Sequence, residues 1–181
     1  MTNKSDFSKL LLKTVFSFMT CDGHIAPKEI GFIKELAREK VDLEGIDVDK
    51  ELNQMVELIN LKGLDFFDDY FKKLNNSSLT EEQEILLLES AIHTITADDK
   101  VKSEEISFLK ILRTALKSPD EKILAKFPKI GKNFIQKDEL TDIYIKELYS
   151  NYFKQQKLPN FDLSQVQDIS DSVDFGNSSS D

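Results

Sequence analysis

Two segments of this chain share the one arrangement of residues that suggests chemistry. They are Asp22-Gly23-His24-Ile25-Ala26-Pro27-Lys28-Glu29 and Asp98-Asp99-Lys100-Val101-Lys102-Ser103-Glu104-Glu105. Both read Asp-x-x-Ile/Val-x-x-x-Glu. A turn carrying an aspartate, followed by a helix with a glutamate in its first turn, can bring two carboxylates close together. Oxygen-rich corners of this kind suit hard divalent cations such as Ca²⁺, Mg²⁺ or Mn²⁺. The candidate ligands are Asp22, Glu29, Asp98 and Glu105, with His24, Asp99 and Glu104 as possible additions. Two carboxylates per corner imply weak binding, of the order of 10⁻⁴ M rather than the sensor range.

The first corner matches the second half of an EF-hand loop, with Asp22, Gly23, Ile25 and Glu29 on loop positions 5, 6, 8 and 12. Phe18 and Thr20 then fall on positions 1 and 3, which need Asp-like ligands, and Thr94 and Thr96 do so in the second corner. A standard EF-hand is excluded. A purely structural reading competes with metal. If Pro27 opens a helix, Glu29 is its third residue, facing unpaired N–H groups at the positive end of the dipole, worth about 0.3–1 kcal/mol. Asp22 can likewise bond its own turn.

Other reactive residues are few. His24 is replaced by Lys100 in the second corner, and Cys21 by Ala97. Cys21 has no basic neighbour to lower its pKa and reads as a small buried residue. His93 falls inside a helical pattern. There is no Ser-His-Asp order, Gly-rich phosphate loop or HExxH motif, so the expectation is a protein that is not an enzyme.

The elements that must position the corners are helices. Apolar residues recur at intervals of three and four through Phe7, Leu10, Leu11, Val15 and Phe18, predicting a helix over 6–19. A second opens at Pro27, and a third carries Leu52, Met55, Val56 and Ile59 up to Gly63. A fourth carries Phe66, Phe67, Tyr70, Phe71 and Leu74. Thr80 with Gln83 resembles a capping box ahead of a fifth helix. A sixth runs from Ser103 to Leu116, a short seventh follows Ser118-Pro119, and a last one over 138–156 carries Leu140, Ile143, Tyr144, Leu148 and Phe153. No strand alternation occurs. The fold class is all-α, with about eight helices.

Shifting the chain by 76 residues aligns Leu10–Lys40 with Leu86–Leu116, and ten of those 31 positions are identical. About two would match by chance, so the reading is an internal repeat. Most of the matches are apolar and follow from two similar helical hairpins. Asp22/Asp98 and Glu29/Glu105 do not. The domain therefore spans 1–156, in two related halves of about 6–77 and 80–156. Residues 157–181, rich in Asp, Ser and Asn, read as a flexible acidic tail interrupted by Phe161, Leu163, Val166, Ile169, Val173 and Phe175.

Composition bounds the rest. With 24 Lys+Arg against 33 Asp+Glu the net charge is −9, which repels phosphate backbones and argues against general nucleic-acid binding. No apolar run is long enough to span a bilayer, the polar stretch Met1 to Asp6 lacks the apolar segment of a signal peptide, and a lone cysteine fits a reducing compartment. The expected location is the cytoplasm.

The two corners, Thr20 to Ile30 and Thr96 to Ile106, resemble the acidic signature Asp-Gly-x-Ile-x-x-x-Glu of the TerB family of tellurite-resistance proteins. The first keeps the whole signature, and the second departs from it with Asp99 in place of Gly. The resemblance covers roughly residues 6–150 in architecture. It implies a helical fold of two related halves whose corners lie near each other. It also implies a non-enzymatic module that binds divalent metal or a protein partner in stress-response or phage-defence systems, often beside membrane partners of the TerC type. Two alternatives stand beside it: a structural adaptor whose corners are only helix caps, and a metal-dependent hydrolase using the paired acids.

Overall fold

The computed structural model of the protein describes residues 3–39, 43, 45–97, 99–130, 132–136 and 140–166. Among these the fold is all-helical. The helices are α1 (Lys4–Thr20), α2 (Pro27–Glu39), α3 (Val48–Lys62), α4 (Asp65–Asn75), α5 (Glu81–Thr96), α6 (Ser103–Ala115), α7 (Asp120–Lys126), α8 (Lys132–Ile135) and α9 (Asp142–Gln155), with a 3₁₀ turn at Leu163–Gln165.

From Phe7 to Thr20 helix α1 is buried against α3, α4 and α5 at every position but Lys9 and Lys13, which mark one narrow edge. The buried hydroxyls of so dry a helix need partners close at hand. Ser8, Thr14 and Thr20 do so by donating to the carbonyls four residues back, Lys4, Leu10 and Phe16. The Tyr70 hydroxyl of α4 donates to Thr14 Oγ1 at 3.0 Å. Around α1 the aromatic residues pack edge to face. Phe108 of α6 is their hub, 4.7–5.8 Å from Phe18, Phe67, Phe71 and Tyr152.

Thr80 and Gln83 form the expected capping box at α5. Under the 76-residue shift Pro27–Glu39 becomes Ser103–Ala115, the bounds of α6 itself. Later helices do not follow suit, for the shifted α3 falls on the break between α7 and α8. The turn from α6 into α7, just ahead of that break, is held by charge. Glu84 accepts from the N–H groups of Lys117 and Ser118 and from the Ser118 hydroxyl at 2.6–3.0 Å. The fully buried Arg113 donates to the carbonyls of Ile135 and Ser118 and to Asp120 at 2.6–2.8 Å.

Two expectations are corrected. The last helix begins at Asp142 rather than 138, capped by Thr141, and it packs through Ile145, Tyr149, Tyr152 and Phe153. Ile143 is 74% exposed because it lies about 200° around the helix from Ile145. Residues 158–166 are also not a free tail. Phe161 and Val166 are buried, and the Asn60 side chain of α3 clasps the Phe161 backbone, accepting from its N–H and donating to its carbonyl, both at 2.8 Å. Residues 167–181, including Ile169, Val173 and Phe175, lie outside the described residues.

Phe161→Ala is expected to lower the unfolding free energy by about 3 kcal/mol in urea denaturation. A loss under about 0.5 kcal/mol would mean that the segment after α9 adds nothing to the folded body.

Candidate functional site

The first corner leaves α1 at Thr20 and enters α2 at Pro27. Gly23 turns it with φ +82°, a conformation costly for a side chain. A Cβ at Gly23 would also stand 3.3 Å from the Pro159 ring, so the chain after α9 lies directly on this turn. The Asp22 Oδ1 accepts from the His24 N–H at 2.9 Å, the local turn bond that an aspartate supplies. The Cys21 carbonyl accepts from the Tyr152 hydroxyl at 2.7 Å and the Gln156 amide at 3.2 Å, which ties α9 to the corner.

Glu29 is buried, and its Oε2 accepts from the Ala26 N–H at 2.7 Å. Glu105 is buried likewise, and its Oε2 accepts from the Lys102 N–H at 2.7 Å. Each glutamate thus occupies the third position of its helix and reaches back to the N–H of the residue before it. Half of a capping box is made twice, in the same way.

The two corners meet. Lys102, just before α6, extends its ammonium to Asp22 Oδ2 in the first corner, where the Asp22 side chain is only 6% exposed. Lys28 reaches Asp99 at 3.5 Å on the outer rim. The junction therefore gathers Asp22, Glu29 and Glu105 around Lys102. Burial pushes the Glu29 carboxyl from its ordinary 4.5 up to about 8, and the negative charges of Glu105 and Asp22 add to that rise. The Ala26 N–H and Lys102 oppose it without reversing it. Glu29 therefore caps α2 as a neutral acid at neutral pH, not as the anion that a dipole argument supposes. The same acids, mainly the Asp22 carboxylate, raise the Lys102 ammonium. Burial, reinforced by Glu105 and Asp22, pushes the Cys21 thiol well up, and its Sγ donates to the Phe18 carbonyl at 3.3 Å.

The other candidates do not converge here. The His24 side chain is exposed, and Asp99 is 92% exposed. Glu104 accepts from the Ser103 hydroxyl at 3.0 Å. His93 stands edge-on to Phe32, joining α5 to α2. Asp98 lies outside the described residues. Among the described residues no three His, Cys, Asp or Glu are placed to hold a metal ion. Both Asp22 oxygens are engaged, and each glutamate gives one oxygen to a backbone N–H. The donors are of the kind that suits a hard cation. Lys102 went unremarked in the sequence reading. Its one signal was a charged residue standing where the first corner has Ala26.

Compared with known proteins, the chain matches no family model, no curated protein and no solved structure.

A carboxyl that is harder to ionise in the folded state stabilises the fold below its unfolded pKa, and that contribution is lost as pH rises through the folded value. The Glu29 contribution should therefore be complete near pH 4.5 and gone above about pH 8. Glu29→Gln keeps an acceptor for the Ala26 N–H and cannot ionise. Subtracting its urea-unfolding profile from that of the wild type should give a difference that moves against the wild type between those limits. A flat difference would mean that Glu29 titrates normally.

Proposed function

We propose that this chain is a non-enzymatic, TerB-like helical binding module whose two acidic corners form one structural junction. Its work is to engage a protein partner, in the cytoplasm and in a stress-response or defence setting. The setting rests on the resemblance of the corners to the TerB signature. The partner-binding role rests on a surface of net charge −9. The observation that carries the reading is the bond from Lys102 of one corner to Asp22 of the other, with Glu29 and Glu105 each spent on a helix start. In this reading an ammonium supplies the positive charge that a divalent cation would supply to a paired metal site. The polar groups of the junction are committed to holding two helix hairpins together.

Other observations favour a binding module over a hydrolase. The only thiol is buried and held protonated. The acids nearest to one another are bonded to backbone N–H groups or to Lys102 rather than facing an open cleft. Among the described residues no helix is long and apolar enough to cross a membrane, so a membrane-associated partner would be met at its surface.

Calorimetry with Ca²⁺, Mg²⁺ and Mn²⁺ on wild type, Asp22→Asn and Lys102→Met tests this reading. Wild type and Asp22→Asn should give equal heats, and Asp22→Asn, whose amide oxygen can keep the turn bond, should lose about 1–2 kcal/mol of stability with the junction ion pair. Saturable binding by the wild type that Asp22→Asn abolishes and Lys102→Met tightens would overturn it, returning the junction to metal.

A further inference from the structure

A cleft of about 400 Å³ opens between α4, α6 and α9, at the end of α6 opposite to Glu105. Phe71, Ile111, Ala115, Ile145 and Tyr149 give it apolar walls, and Asp68, Lys72 and Lys146 stand around it. The charges there are not equivalent. Asp68 is engaged twice, by Lys72 at 2.5 Å and by the Tyr149 hydroxyl. Lys146 is exposed and has no hydrogen bond or ion pair among the described residues. With Lys72 paired to Asp68, the charge left over at the cleft is the single ammonium of Lys146, in a chain whose net charge is −9.

An apolar cavity of this size with a few charged groups at its mouth has the make-up of a small-molecule site. We propose that the cleft binds a small amphipathic carboxylate, a monoanion with an apolar chain. The chain lies among Ile111, Ala115 and Ile145, and the carboxylate pairs with Lys146. Charge complementarity selects this occupant. Lys72 offsets the Asp68 charge, and the ammonium of Lys146 is the group left to be answered. Apolar contact supplies the affinity and Lys146 the preference for an acid over an alcohol. The proposal is independent of the corner junction.

Calorimetry with hexanoate, heptanoate and octanoate, with 1-octanol as the uncharged comparison, tests it on the full chain. Binding should saturate at one equivalent and tighten about fourfold for each added methylene. Lys146→Glu should weaken octanoate at least fivefold and leave octanol unchanged. Ala115→Leu adds bulk at the cleft wall in a helix-favouring residue, and should abolish both. Heats that do not saturate, octanoate binding unaffected by Lys146→Glu, or full binding by a folded Ala115→Leu protein would each overturn the proposal. So would a concentration-dependent sedimentation coefficient that Ala115→Leu removes, which would assign the cleft to a second copy of the chain.

Discussion

The rest of the structure is arranged around α1, a helix kept dry on every side but the Lys9–Lys13 edge. Beyond Lys9 and Lys13 its residues offer no polar face, so α3, α4 and α5 close around it and Ser8, Thr14 and Thr20 bond back to its own carbonyls. The chain leaving such a helix cannot reach solvent at once. The first corner therefore begins inside the protein, and Cys21, Ile25, Ala26 and Glu29 remain buried as it turns. Carboxylates placed there lose their hydration, and their chemistry is decided by what replaces it.

Three replacements are visible. Backbone N–H groups at the two helix starts take one oxygen from each glutamate. Lys102 answers Asp22. A proton answers the remainder, since Glu29 faces Glu105 and Asp22 with desolvation as the dominant cost. Desolvation outweighs the helix dipole here because the dipole offers only partial charges, whereas burial removes the solvent around a whole one. The acid-rich appearance of the corners in sequence thus corresponds to a junction carrying less net negative charge than its composition suggests.

Much of this was legible in the residues. The 3–4 spacing identified α1 to α6, the Thr80–Gln83 box was read from type and spacing, and the 76-residue shift predicted two corners with equivalent glutamates. Asp22 as a turn residue was legible too. Less legible was anything that depends on which elements meet. Lys102 acts across 80 residues of chain, and no local pattern marks a lysine that crosses from one hairpin to the other. In α9 the amphipathic stripe admits two faces, and the aromatic pair Tyr149–Tyr152 prevails over Ile143 only because Phe108 and Phe71 are there to receive it. The stretch after α9 has a composition that reads as solvated, yet Asn60 supplies the backbone partners that let Phe161 be buried.

Position 102 has a further consequence, in terms of how such a protein can change over generations. Its main-chain N–H starts α6 by bonding Glu105, and its side chain separately joins the corners. The first role belongs to any residue except proline, the second to a cation of about this length. One codon can therefore alter how the two helix hairpins are joined without disturbing either helix start.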